Sequence, residues 1–211
     1  MDDMYYDEEL ETVVIPSELE NIKLPNPSLM NYFKDASRRI YYIEGDIDDC
    51  TMEIVKKIHR YNIEDRYVAV EQRKPIRLFI NSRGGDLQVT WCIVNAICMS
   101  KTPVYTIAFC NCMSAAAHIL AAGHKRYSMS GTTILVHSGS CSFGGDMEKV
   151  ESAKKYFDVL GNRANALLLK QTKISPKSLK RKGANDWYMS PEEALSEGII
   201  DKIVDDFEEI G

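Results

Sequence analysis

The sequence has no apolar run long enough to cross a bilayer. Its longest apolar stretches, such as 115–122, are interrupted by His118 and fall far short of the roughly 20 residues a membrane helix needs. No membrane insertion is therefore expected. The N-terminus, MDDMYYDEELE, lacks the positive segment and apolar core of a secretory signal. Excess basic charge is absent too: 26 Lys and Arg against 31 Asp and Glu leave a formal charge of −5, with no positive field to hold a phosphate backbone. Nucleic acid is not an expected partner. Cys50, Cys92, Cys98, Cys110, Cys112 and Cys141 form no paired framework in a chain large enough to fold without staples, which points to a reducing, cytoplasmic compartment. Cys110 and Cys112 make a C-x-C, but no second cysteine or histidine pair stands at zinc-site spacing, so no metal centre is expected.

What is present is a chain of 211 residues, 45% hydrophobic, which fits one globular domain with a sizeable core. Residues 1–30 differ from the rest: carboxylates crowd the first ten positions, and the Pro-punctuated stretch IPSELENIKLPNPSL follows. This reads as an acidic arm, axial or mobile, ahead of a domain over 31–211, or as a solvated tail with no task.

From Arg39 the chain alternates between apolar strands and helical segments, the pattern of an α/β domain with a largely parallel sheet. Strands are expected over 39–43, 76–80, 103–109, 127–129 and 133–136, and helices over 52–61 and 89–99 and from Ser114. A turn is expected over 110–113. Asp146 caps a long helix to Lys170 with apolar positions 147, 150, 153, 157, 160, 164 and 168 on one stripe. The end, PEEALSEGIIDKIV, reads as a short helix closed by Gly198 and a last strand.

Two strand–turn–helix corners face the same sheet edge, where ligands usually bind. At the first, Gly84-Gly85 permits positive φ and close approach of another backbone, so its amides suit an oxyanion; a plain turn is the alternative. At the second, Ser114 opens the small-residue helix SAAAHILAAG, either as an N-cap or as a nucleophile beside the free amide of Ala115. His137 ends an apolar strand before Ser138-Gly139, at the sheet edge, where a general base would stand. His59 and His124 lie in polar surroundings. His118, four residues after Ser114, is a rival base by spacing but sits among Ala117, Ile119 and Leu120 as a packed histidine would. Asp186, flanked by aromatics, is either the carboxylate that orients the imidazole or a turn aspartate.

Together these residues resemble the ClpP proteolytic subunits of the Clp proteases. Ile80-Asn81-Ser82-Arg83-Gly84-Gly85 is similar to the family's I-N-S-P-G-G, and Cys112-Met113-Ser114-Ala115-Ala116-Ala117 to its A-A-S-M-G-A. Ile134-Leu135-Val136-His137 resembles the strand that carries its histidine, and the stretch from Asp186 to Ala194 its D-x-F-M-S-x-x-E-A. The chain differs in having Arg83 for proline, Ala115-Ala116 for Met-Gly, Ser138-Gly139 for Gln-Pro, and Asn185 where many members have arginine.

The resemblance implies a crotonase/ClpP-like spiral of ββα units with a protruding handle helix. It also implies a triad of Ser114, His137 and Asp186, with an oxyanion hole from the amides of Gly85 and Ala115. Main-chain contacts to a bound peptide would come from Leu87, Ser140 and Ser142. Further implications are heptameric rings stacked as a tetradecamer, an AAA+ unfoldase that supplies polypeptide substrates, and no cofactor. Other readings stay open: a catalytically silent or weakly active ring subunit, a phage-type capsid maturation protease, or an acyl-CoA enzyme of the crotonase fold.

Overall fold

A computed structural model describes residues 26–210, which part into two units after Lys34. The acidic arm expected over residues 1–30 lies, as far as residue 25, outside the described residues. Asn26 accepts the Ser28 N–H through Oδ1 at 2.8 Å, and Pro27 opens helix α1 (Pro27–Ser37), which begins in the first unit.

The second unit is built on a sheet whose strands are β1 (Ile40–Glu44), β2 (Ile76–Ser82), β3 (Val104–Met113), β4 (Lys125–Met129), β5 (Thr133–Val136), β6 (Trp187–Met189) and β7 (Lys202–Val204). The path β1-β2-β3-β4-β7 is parallel throughout, β5 joins β3 in parallel, and β6 closes on β5 antiparallel. Parallel neighbours need crossovers, and α2 (Glu53–Glu64), α3 (Leu87–Met99) and α4 (Ala115–Ala122) supply them from β1 to β2, β2 to β3 and β3 to β4, while α5 (Met147–Gln171) and α6 (Pro176–Lys182) lie between β5 and β6, and α7 (Pro191–Ser196) between β6 and β7. Side chains alternate along β2 accordingly. Leu78 and Ile80 join Ile93, Ile97 and Leu120 in the main core, while Phe79 points into a second cluster with Ile107, Tyr127, Val204 and Ile210.

The turn expected over 110–113 is a correction: β3 runs on through Met113. Between Ile80 and Ser82 of β2 the partner in β3 advances from Ala108 to Cys112, so β3 carries a bulge there. Up to Ala108 it pairs with β4, and from Asn111 it pairs with β5. One strand thus serves two neighbours, and its far half delivers Ser114 beside the strand that delivers His137. The helix expected from 89 starts at Leu87, because Asp86 accepts the Gln88 and Val89 amides. Asp146 caps α5 as expected, but its buried residues, Leu160, Ala164 and Leu168, all fall in the second half of the helix. Helix α6 is an element the sequence analysis did not assign, although Ser175 caps it and Pro176 opens it.

Candidate active site

Ser114 leaves β3 with φ 56° and ψ −122°, a left-handed backbone that a serine adopts only when its surroundings enforce it. Its N–H donates to Leu135 O at 2.9 Å, which extends the β3–β5 ladder by one residue. Its side chain caps nothing in α4. The hydroxyl lies instead 2.7 Å from His137 Nε2, so the N-cap alternative does not describe this serine.

The Gly84-Gly85 turn is packed against this corner. A Cβ on Gly84 would stand 2.8 Å from Ser114 Cβ and 3.2 Å from Ala115 N, and one on Gly85 would stand 2.3 Å from Ile47 O. Both glycines have positive φ, 113° and 149°. Ile47 donates to Gly84 O at 2.9 Å and accepts from Asp86 N at 2.8 Å, the pattern of a parallel bridge to Gly85. In such a bridge the middle residue turns its own amide away from the neighbour, so Gly85 N–H faces away from Ile47. Ala115 N–H is the first amide of α4 and lacks an intrahelical acceptor by position. Two amides therefore stand at the turn and helix start that meet around Ser114.

His137 follows β5 directly, and its Nδ1 lies 3.5 Å from Asp186 Oδ1. Asp186 precedes β6, whose Trp187 pairs with Val136. The ladder therefore brings the two side chains together across 49 residues of chain, from 137 to 186. The Asp186 side chain is 57% exposed. Serine, imidazole and carboxylate thus form a chain of contacts in the order that lets a base take a hydroxyl proton while a carboxylate fixes its tautomer.

His118 is buried, with Nδ1 3.0 Å from Ser114 O. Burial pulls its pKa down to about 4, helped by the neighbouring His137. It is thus a packed, neutral group on the carbonyl of Ser114. His59 and His124 are exposed. Cys112, two residues before Ser114, is buried and its thiol is pushed up by desolvation, which keeps it protonated. Among the described residues no group of three or more His, Cys, Asp or Glu is placed to hold a metal. Leu87 is the first, half-buried residue of α3, and Ser140 and Ser142 lie in an exposed stretch outside any strand.

The sequence analysis missed Ile47, the residue that braces Gly85, and the cluster behind Asp186. There Lys182 reaches Glu193 at 3.0 Å and covers the Trp187 ring at 4.1 Å, while Trp187 Nε1 donates to Glu193 Oε1 at 3.0 Å. The indole bond and the ammonium hold the Glu193 carboxyl below the usual carboxylate range. No periodic signal marks such a cluster, since its members come from three elements.

The parallel-dominated sheet, the helices on it and the serine–histidine–aspartate edge define an α/β protein of the ClpP-like fold. The chain belongs to the Clp protease family, whose sequence pattern matches residues 33–207. It is 33% identical over 132 residues to an ATP-dependent Clp protease proteolytic subunit of Deinococcus radiodurans, covering 62% of this chain and 65% of that protein. It is 32% identical over 171 residues to the chloroplastic ATP-dependent Clp protease proteolytic subunit 4 of Arabidopsis thaliana, covering 79% of this chain and 56% of that protein. The matches thus span less than two thirds of each relative's length. Among the described residues no helix is long and apolar enough to cross a membrane.

Proposed function

We propose that this chain is the proteolytic subunit of a self-compartmentalised serine endopeptidase that cleaves unfolded polypeptides and peptides. The observation that carries the reading is the 2.7 Å contact of Ser114 Oγ with His137 Nε2, made by a serine held at positive φ with no capping bond. In the proposed reaction His137 takes the Ser114 proton as Oγ attacks a peptide carbonyl. Asp186 keeps the Nδ1 proton of His137 in place and offsets the imidazolium charge. The Gly85 and Ala115 amides take the oxyanion. His137 then returns the proton to the leaving amine, and water, deprotonated by the same imidazole, releases the acyl group from Ser114.

No cofactor is required by these steps. Substrate binding as an added strand near Leu87, Ser140 and Ser142 gives tolerance of sequence, because main-chain bonds ignore side-chain identity. Assembly into stacked heptameric rings and feeding by an AAA+ ATPase belong to the same proposal, and it is supported by membership in the Clp protease family and by relatives named as subunits of an ATP-dependent protease. The acidic residues at the start of the chain are read as a segment apart from the peptidase domain.

The test is the intact mass of the protein after treatment with a fluorophosphonate, beside Ser114→Ala. A single adduct on the wild type that is lost in the variant is the expected result. Wild-type protein that is oligomeric yet takes no adduct would refute the peptidase reading in favour of a silent ring subunit.

A further inference from the structure

The carboxylate of Asp186 is exposed, and among the described residues its one partner is His137, at a separation that is long for a hydrogen bond. Its position therefore depends on the backbone that carries it. That backbone is held from the end of α6. Gly183 O accepts the Ser138 N–H at 2.8 Å, fixing the residue after His137, and Lys182 O accepts the Asn185 N–H at 3.2 Å, fixing the residue before Asp186.

The Lys182 side chain holds the residue on the other side. Its ammonium lies over the Trp187 ring and reaches Glu193 at 3.0 Å and Glu197 at 3.4 Å. Trp187, 6% exposed, is tied to the same Glu193 oxygen through Nε1. An isolated surface ion pair fixes little, but an ammonium held at once by two carboxylates and an aromatic face is restrained from three sides. We infer that Lys182 is a positioning residue, its clasp on Trp187, Glu193 and Glu197 setting Asp186 against His137. The inference rests on the peptidase reading above for its consequence in catalysis, although the clasp can be observed without it.

The experiment compares full-length wild type with Lys182→Met, Lys182→Arg and Asp186→Asn by two readouts. One is the downfield proton resonance of His137 Nδ1–H, the signature of its hydrogen bond to a carboxylate. The other is the rate of fluorophosphonate labelling. Lys182→Met, which keeps the aliphatic stem, is expected to lose the resonance as Asp186→Asn does and to slow labelling on the order of tenfold. Lys182→Arg, which keeps a cation of similar reach, is expected to restore both. A merely structural lysine would move the unfolding midpoint and leave resonance and rate alone, and that result overturns the inference. So does a wild type whose spectrum has no such resonance, or a Lys182→Arg as impaired as Lys182→Met. Should the resonance follow the expected pattern while no form is labelled, the clasp stands and the peptidase reading falls. If Lys182→Met does not fold, Trp187→Phe removes the indole donor while keeping a ring under the ammonium. It should weaken the resonance and slow labelling in the same direction, and wild-type behaviour there counts against the clasp.

Discussion

At the scale of single residues, the site depends on positions where no side chain fits. Gly85 has Ile47 backbone atoms where a Cβ would go, and Gly84 has Ser114. Gly85→Ala is therefore expected to destabilise the fold by about 2–3 kcal/mol and to lower labelling of Ser114 by moving the turn, measurable by chemical denaturation and adduct formation. His118 makes a different prediction. Its folded pKa, about 4, lies below the ordinary 6.5, so between those values the unfolded chain binds the proton that the folded one excludes. Stability is then lost as pH falls from 6.5 towards 4, by roughly 3 kcal/mol at most. His118→Leu should remove that part of the pH dependence, read from denaturation midpoints across the range; an unchanged slope would mean His118 titrates normally. Ser114, His137 and Asp186 were legible as side chains of the right type at strand and helix ends. The φ of Ser114 was not, because it is set by β3 and β5 together.

Among the elements, β3 and α6 were read least well, for separate reasons. The run Cys110–Met113 looked like a turn because it stands between an apolar strand and the small-residue helix that Ser114 opens. It is a strand since β5 arrives from later in the chain to pair with Asn111–Met113. Helix α6, 7 residues long, is too short for a periodic signal, and only its Ser-Pro start and Gly183 end marked it. Helix α5 was located correctly, and its apolar stripe runs past the part the chain itself buries. Beside that stripe, Tyr156 and Val159 are exposed. Replacing both with Asp is expected to change the stability of the lone chain by no more than about 0.5 kcal/mol while dispersing the assembly, seen by sedimentation velocity. Intact assembly in that variant would mean that this face of α5 carries no contact between copies of the chain.

For the whole molecule, the fold class was legible because parallel strands buried on both faces leave continuous apolar runs and glycine-marked corners in the sequence. How copies of the chain would pack together was not, since a single chain records only its own half of any contact. If the site works inside a chamber, the isolated protein should cleave a short fluorogenic peptide and leave a folded protein intact, with Ser114→Ala losing the first activity. Cleavage of folded protein by the isolated assembly would contradict enclosure. The lateness of β6 has a consequence for a chain still on the ribosome. His137 follows Ser114 by 23 residues, but the aspartate comes only after 49 more, roughly 2–10 s of synthesis. On the proposed mechanism, a nascent or prematurely terminated chain therefore carries the serine and the base without the carboxylate assigned to align them, and its hydrolysis stays weak until translation has passed residue 186.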